Sequence, residues 1–496
     1  MRELQLEFIT NPTTKRLIKI LSLIEKEYFF TIVELSQKMN VTQRTIATDV
    51  KHIKEYFGDS ILINTGYRGH SFVVKKSDLY QKKKKHLFKS ECFFEIIKNI
   101  FFDKRFKIDE LAHKYHLSES TLRRLLKNTN KVLEIYGLKW SSNPLFIQGK
   151  EENLRKFFFD FYYKGVDMDH NIIPDFKMKK LLKNKLIEKK PNFEIGSGAT
   201  IASFYYTFYI AVIRASLGYN VSIPEEFIRL ACTGNSFSLF NELKPSIKEY
   251  YNTNLSVSEC AWIYLTNICK RSLFNKEAEY KFCQKFRKSS NIENITKKYL
   301  NYMGVKSTEK SQISIFLNSF FLSREVNYSI APVLNKESSD IKEDILLINR
   351  ESYQRNLKFL SKQKNTFLTE SYMEDICVSL TIYSNMIFDL YNKSKIVCFL
   401  LEGDHFVCQQ IQKRARQHFG EKHWLIFEPD QYVKQQTINS NSIDLIVTNY
   451  SQHLLDNIHE TEYVLLKPIP DENDWLNLEK KINNYTDFHI RNNLTI

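Results

Sequence analysis

Histidine is absent from the middle of this chain: none stands between His170 and His405. An imidazole nitrogen can accept a phosphoryl group, so the central stretch has no acceptor of that kind. The eight cysteines are scattered and form no Cys-x-x-Cys pair, which argues against structural zinc and against a disulfide scaffold. Thirteen glycines and ten prolines among 496 residues leave no long flexible or low-complexity tract, so domain boundaries must fall in short linkers. No basic-then-apolar signal segment opens the sequence. The longest strongly apolar run, Ile201 to Ile213, is too short to span a bilayer and is followed by Arg214; it predicts a buried helix. Together these absences predict a cytoplasmic protein with no membrane partner, no metal and no cofactor. What the chain does have is apolar mass, 43% hydrophobic residues. Over this length that buries several cores, and three or more domains are expected.

Two stretches, Phe30 to Phe57 and Phe106 to Leu133, repeat one motif at a constant offset of 76 residues. Phe30, Ile32, Glu34, Leu35, Lys38, Thr45 and Lys51 recur as Phe106, Ile108, Glu110, Leu111, Lys114, Thr121 and Lys127. In the first copy Ile32, Leu35, Ser36, Met39, Val41, Ile46, Val50, Ile53 and Phe57 follow three-four spacing, interrupted once at Asn40. That pattern predicts two helices joined by one tight corner, the grammar of a helix-turn-helix. Thr42 and Ser118 stand where a side-chain oxygen can cap the second helix, and Ser36 and Ala112 are small where the helices must cross. Off the apolar stripe, the second helix of copy one offers Gln43, Arg44, Thr45, Thr48 and Lys51. Copy two offers Ser118, Ser120, Thr121, Arg123, Arg124 and Lys127, with Glu119 fitting that surface less easily. Arginine can fork onto guanine and lysine can neutralise phosphate, so these twelve positions less Glu119, together with Arg68 below, are the candidate DNA contacts. No catalytic residue is proposed.

A short hairpin follows each helix pair: Ile61 to Asn64 with Ser71 to Lys75 around Thr65-Gly66-Tyr67-Arg68-Gly69, and Leu138 to Ser141 with Leu145 to Gln148 around Asn143-Pro144. Both units therefore read as winged, and Arg68 at the first tip is placed to reach a phosphate or a minor groove. One helix-turn-helix pattern is often only a helical corner; two at one offset, each with a wing, favour DNA. Charge agrees. Residues 1–165 hold 31 basic and 19 acidic side chains, hence +12 of the total +15, whereas residues 395–496 hold 10 and 14, hence −4. The positive field sits with the repeats and should make binding salt-dependent. Lys82 to Lys85, between the units, reads equally as a solvated linker or a phosphate clamp.

From Asp167 to Asn392 the pattern is almost wholly helical, in two successive stretches that divide near Asn291, as in bundle cores. The last hundred residues alternate short apolar strands (Lys395 to Leu401, His423 to Phe427, Ser442 to Asn449, Tyr463 to Lys467) with helical segments at 405–419, 430–438, 451–459 and 471–484. Alternation of this kind predicts a parallel sheet with helices on both faces. Glu402, Gly403 and Asp404 would follow its first strand.

The order of these parts resembles the Mga/AtxA family of transcriptional regulators. The likeness is most specific across Glu91 to Tyr163, in Phe101-Phe102, Ile108-Asp109-Glu110-Leu111, Ser118-Glu119-Ser120-Thr121-Leu122, Ser142-Asn143-Pro144-Leu145 and Gln148-Gly149. The resemblance implies a multidomain, mainly α chain: winged helix-turn-helix units at 1–80 and 86–165, two helical bundles at 167–288 and 291–392 similar to phosphotransferase-regulated (PRD) domains, and an α/β domain similar to EIIB at 394–496. It further implies binding to double-stranded DNA, homodimerisation through the carboxyl-terminal half, and an indirect link to the sugar phosphotransferase system. One departure bears on mechanism, since both PRD-like bundles lack the phosphoacceptor histidine; a role as dimerisation or spacer modules is favoured, and His170 reads as a surface residue. A phosphotransfer enzyme or carrier is an alternative, but Cys398 lies within a strand, Cys408 within the next helix, and Glu402 and Asp404 between them would repel phosphate. An RNA-binding antiterminator, the other alternative, would begin with a small β-rich module rather than helical repeats.

Overall fold

The computed structural model describes residues 3–27, 29–67, 69–89, 91–165, 171–189, 196–233, 237–287, 291–305, 307–337, 339–391, 394–427, 443–452 and 462–482. Two compact units emerge, one of residues 1–295 with 315–381, the other of residues 296–314 with 382–496.

The first unit opens with α1 (Glu3–Leu6) and α2 (Pro12–Ile24). Asn11 caps α2 by accepting from the Thr13 and Thr14 N–H groups, and Pro12 at the first helical position has no N–H to leave unpaired. Strand β1 (Phe29–Phe30), α3 (Ile32–Met39), α4 (Gln43–Phe57), β2 (Ile61–Gly66), β3 (Gly69–Val74) and α5 (Ser77–His86) complete the first winged unit. Thr31 and Glu34 close a reciprocal capping box at the start of α3. Ile20, Leu21 and Ile24 of α2 pack with Leu35, Ile46, Ile53, Phe57, Phe72 and Tyr80 in one core.

The first wing is wider than a hairpin. β1 pairs with β3, Phe29 opposite Ser71 and Phe30 opposite His70, giving the order β1-β3-β2. Two residues are too few to register as a periodic strand, so this edge was not expected. Gly69 permits it: its φ is +106°, and a Cβ there would meet the Phe30 carbonyl at 2.6 Å. The strands also run closer to the tip than expected, to Gly66 opposite Gly69.

The lysine run between the units is part of a helix, not a linker. On α5, Lys84 is buried and ion-paired with Glu25 at 2.5 Å. Lys83 donates to the Tyr56 and Phe57 carbonyls at 3.0 and 3.1 Å, satisfying orphan acceptors at the end of α4.

The second winged unit follows as α6 (Cys92–Phe101), α7 (Ile108–Lys114), α8 (Glu119–Glu134), β4 (Lys139–Ser142), β5 (Leu145–Gln148) and α9 (Glu151–Phe158), the last running on as a π-helical turn, Phe159–Tyr163. Phe8, carried just beyond α1, sits edge-on to Phe93, Phe157 and Phe161 at 6.1, 5.9 and 5.5 Å between centroids. The chain's start is thereby sewn into the second unit rather than the first.

Helices α10 (Phe176–Lys189), α11 (Ile201–Ser216), α12 (Glu225–Cys232), α13 (Ser238–Tyr251), α14 (Val257–Ile268) and α15 (Lys276–Phe286) come next. They are followed by α16 (Asn291–Tyr302), α17 (Ser307–Ile330), α18 (Ser339–Ile348), α19 (Arg350–Leu360) and α20 (Glu370–Tyr391). The apolar run at 201–213 is the buried helix α11, with Phe204, Phe208, Ile210 and Ala211 in the core. Among the described residues no helix is long and apolar enough to cross a membrane.

In the second unit, β6 (Ile396–Leu400), β7 (Trp424–Phe427), β8 (Leu445–Thr448) and β9 (Tyr463–Leu465) form a parallel sheet in the order β7-β6-β8-β9. Strand β6 alternates Val397 and Phe399 toward one face with Cys398 and Leu400 toward the other. Both described helices, α21 (His405–Phe419) and the closing helix Glu472–Ile482, cover the Val397 face, where Arg414 lies over the Trp475 ring at 4.7 Å. The opposite face is also buried. The helices expected at 430–438 and 451–459 lie outside the described residues.

Candidate nucleic-acid interface

Each helix-turn-helix corner is built on the same backbone device. Asn40 and His116, 76 residues apart, both end their first helix in the left-handed conformation, with φ of +52° and +54°. The next N–H groups turn back to matching carbonyls, Val41 to Ser36 at 3.1 Å and Leu117 to Ala112 at 2.8 Å. Ser36 and Ala112 are buried, as the crossing requires. The second helices then start on identical caps: the Thr42 hydroxyl accepts from the Thr45 N–H at 3.2 Å, and Ser118 from the Thr121 N–H at 3.1 Å.

These caps settle what several candidates do locally. Ser118 is occupied as a cap and lies 2.9 and 2.8 Å from the Ser120 and Thr121 hydroxyls. The Thr45 hydroxyl lies 2.9 Å from that of Thr42, and Thr48 donates back to the Arg44 carbonyl at 3.0 Å. Glu119 reaches Arg123 at only 3.5 Å across an exposed turn, and Lys51 reaches Glu55 at 3.8 Å; exposed contacts of this kind are worth little. Gln43, Arg44, Thr48 and Lys51 are exposed on α4, as are Ser120, Arg123, Arg124 and Lys127 on α8, while Thr45 and Thr121 are half-buried. Among the described residues Arg44, Arg124 and Lys127 carry no ion pair. At the 76-residue offset Thr48 corresponds to Arg124 and Ala47 to Arg123, so the outer face of α8 carries two arginines where α4 has a hydroxyl and a methyl. Arg68 lies outside the described residues; beside it, Tyr67 is fully exposed at the wing tip, a residue the sequence reading passed over.

A buried pair fixes α4 from behind. Asp49, at the centre of the helix and 1% exposed, accepts from the Arg16 Nε and, at 2.9 Å, from its Nη2. The hydrogen bonds and charge of Asp49 raise the Arg16 pKa against its partial burial. Copy two has Leu125 at this position, so this ion pair has no counterpart there.

In the sheet unit, Cys398 is buried, and burial followed by the charges of Glu402 and Asp404 pushes the half-buried Cys408 thiol up. Asp404 caps α21, accepting from the Phe406 and Val407 N–H groups at 2.9 and 3.1 Å. A carboxylate thus occupies the N–H groups that a phosphate would need. Among the described residues no three His, Cys, Asp or Glu side chains converge as a metal site.

Comparison with known proteins falls on the same segments. Residues 79–162 match the profile of the Mga helix-turn-helix domain, and residues 14–67 match that of the M protein trans-acting positive regulator (MGA) HTH domain. The chain is 23% identical over 335 residues to the capsule synthesis positive regulator AcpB of Bacillus anthracis, covering 63% of this chain and 65% of the relative. It is 26% identical over 156 residues to a putative trans-acting regulator of Streptococcus pneumoniae serotype 4, covering 31% of each. With the capsule synthesis positive regulator AcpA of Bacillus anthracis it shares 23% identity over 240 residues, 48% of this chain and 49% of the relative. The matches span less than two thirds of each relative's length. The two profile matches fall on the two corners, and with relatives named as positive or trans-acting regulators they make this chain similar to the Mga/AtxA family of regulators, most specifically over its helix-turn-helix segments.

Proposed function

We propose that this protein is a transcriptional regulator that binds duplex DNA through both winged helix-turn-helix units, with α8 as the stronger contact. The observation that carries the reading is the repeated corner: two left-handed turns, two matching caps and two outward helix faces at one offset, the second bearing the unpaired Arg124 and Lys127. The net charge of +12 over residues 1–165 supplies the non-specific attraction. Thr45 and Ser118 serve here to fix the starts of the two helices, Thr45 by the bond its N–H gives to Thr42 and Ser118 as the cap, while Arg44, Lys51, Arg123, Arg124 and Lys127 supply charge. The helical region and the parallel-sheet domain serve dimerisation and regulation. Histidine phosphorylation is not the switch in a region that has no histidine from residue 171 to 404.

The test is duplex binding across a salt series with full-length protein. Arg123→Ala and Arg124→Ala should each weaken binding by about tenfold, equivalent to about 1–3 kcal/mol, and lower the salt slope by about one. Arg44→Ala and Lys51→Ala should cost less. Unchanged affinity in both α8 variants would remove the second unit from DNA recognition.

A further inference from the structure

The first compact unit contains a cavity of about 330 Å³ that no part of the DNA-binding reading uses. One wall is the α9 segment and its π turn, continuous with the second winged unit; another is α11 and α14 with the turn after it; the third is the end of α17 and the residues following it. Six cations line the cavity; Arg155 is taken up by Glu151 and Glu259, which leaves Lys156, Lys164, Lys270, Arg324 and Lys336.

Their carboxylate partners are unevenly shared. Asp160 is shared by Lys156 at 2.6 Å and Lys164 at 3.2 Å. Asp375 takes Lys336 at 3.0 Å, and Glu337 lies 3.8 Å from Arg324. In these pairs three carboxylates serve four of the five cations, and Lys270 is in none of them. Among the described residues Lys270 bonds only neutral oxygens, Ser203 Oγ at 3.2 Å and Asn267 Oδ1 at 2.9 Å, and its ammonium lies 4.8 Å over the Phe159 ring. The Arg324 Nε is buried with no hydrogen-bond partner among the described residues. A buried ammonium with no carboxylate at bonding distance, and a buried guanidinium N–H with no acceptor, are costly and call for a counter-charge. The fold also holds Lys270 in place: Gly198 donates its N–H to the Lys270 carbonyl at 2.8 Å, and a Cβ at Gly198 would meet the Arg271 carbonyl at 2.5 Å.

We infer that this cavity is a binding site for a small phosphorylated metabolite, its phosphate held by Lys270 and Arg324 and its body lying against Trp262 and the hydroxyls of Thr207 and Thr266. A phosphomonoester carries about −1.5 to −2 charges at neutral pH and so supplies a counter-charge to Lys270 and Arg324. Lysine and arginine give phosphate strong charge-assisted bonds. The volume is at the lower end of the roughly 300–1,000 Å³ typical of small-molecule sites, which fits a single phosphorylated small molecule and excludes a macromolecular chain. Because one wall belongs to the segment that follows the second wing, occupancy ties that winged unit to the helical region; this consequence alone rests on the DNA-binding reading.

Calorimetry and thermal unfolding of the full chain test the site with inorganic phosphate, glucose 6-phosphate, glucose and succinate, each at matched ionic strength. Glucose 6-phosphate should bind and raise the melting temperature, glucose should do neither, and succinate should be weaker. Tighter binding of inorganic phosphate than of the ester would overturn the metabolite body while keeping an anion site. Lys270→Met and Arg324→Gln should each weaken the ester by about tenfold or more. The free Lys270→Met protein should melt no lower than wild type, because the lost charge sits among like charges, so its loss of binding is not a loss of fold. No binding of either phosphate compound, or equal binding by both variants, overturns the site. Duplex titration with and without glucose 6-phosphate then reads the coupling: unchanged duplex affinity overturns the coupling but not the site, and a protein that binds the ester but no duplex overturns the DNA-binding reading instead.

Discussion

Lys270 is buried among like charges. Burial, followed by the charges of Lys164 and Lys156, pulls its pKa down to about 7, against about 10.4 for a free lysine. It faces Lys156, Lys164 and Asp160 from the α9 segment, Arg324, Lys336 and Glu337 from the opposite wall, and Cys269 beside it. Below pH of about 7 the amine is protonated in both folded and unfolded chains, and the folded state bears the full crowding cost. Between about 7 and the unfolded value the unfolded chain binds more protons, so stability must rise with pH across that window. Lys156, drawn down to about 8 with burial as the largest cause, adds the same sign from about pH 8 upward. The urea midpoint of the ligand-free protein should therefore increase between about pH 7 and about pH 9. Lys270→Met should raise the midpoint at neutral pH and shrink that increase. A falling midpoint in wild type, or the same increase in the variant, would contradict the depressed lysine. Nothing of this was legible in the sequence, where Lys270 is the end of an apolar helix; Ser203 is 67 residues away from it, and the Lys336 carbonyl that Lys156 contacts is 180 residues from Lys156. The candidate DNA contacts were legible because they are exposed and periodic, so their placement depends on one helix and not on the fold.

At the scale of elements, the corners were readable because everything that makes them is local: the apolar period of α3 and α4, the caps Thr42 and Ser118, and the interruption at Asn40. Three features were not. Strand β1 has two residues, too few for a period. The lysine run reads as solvated until α5 is packed, when Lys84 meets Glu25 and Lys83 meets the end of α4. Asp49 breaks the apolar stripe of α4, and only Arg16 of α2 explains it. The corner of copy two carries a strain that copy one relieves better. Asparagine tolerates the left-handed region through its short polar side chain, whereas His116 at φ +54° does so at greater cost. A β-branched residue there should be worse still: His116→Val should destabilise the second winged unit by about 1–2 kcal/mol, while His116→Gly should be close to neutral, because lost strain offsets added chain entropy. Urea unfolding followed through Trp140, which packs on Phe93 at 5.8 Å in that unit, measures both. Equal effects of valine and glycine would show that the corner's stability does not depend on its backbone conformation.

At the scale of the whole molecule, the second winged unit and the first helical region are joined by buried charge. Arg155, 2% exposed, bonds Glu259 at 2.6 and 3.1 Å and Glu151 at 2.9 Å; Glu151 also takes Arg214 at 2.8 Å, and Arg214 reaches the Phe101 carbonyl at 3.3 Å. Glu259 is fully buried and accepts a further bond from the Val221 N–H at 2.9 Å. The network crosses α6, α9, α11 and α14, so neither the unit at 91–163 nor the helices at 201–268 can separate without exposing unpaired charge in the other. Such a pair adds little net stability over apolar packing, but removing one member costs about 3–5 kcal/mol because the survivor stays buried. A rigid junction of this kind would let the state of the helical region be felt at α8, and it makes the two parts one cooperative block. Two single-tryptophan proteins test this, one retaining Trp140 in the winged unit and the other Trp262 in α14. Their urea transitions should coincide in the otherwise native chain and should move together to lower urea in Glu259→Ala. Glu259→Gln, which keeps the acceptor oxygen but loses the charge, should fall between. Midpoints that separate before any mutation would mean that the network is an incidental contact between independently folding parts; midpoints that separate only in Glu259→Ala would mean that this carboxylate is what couples them.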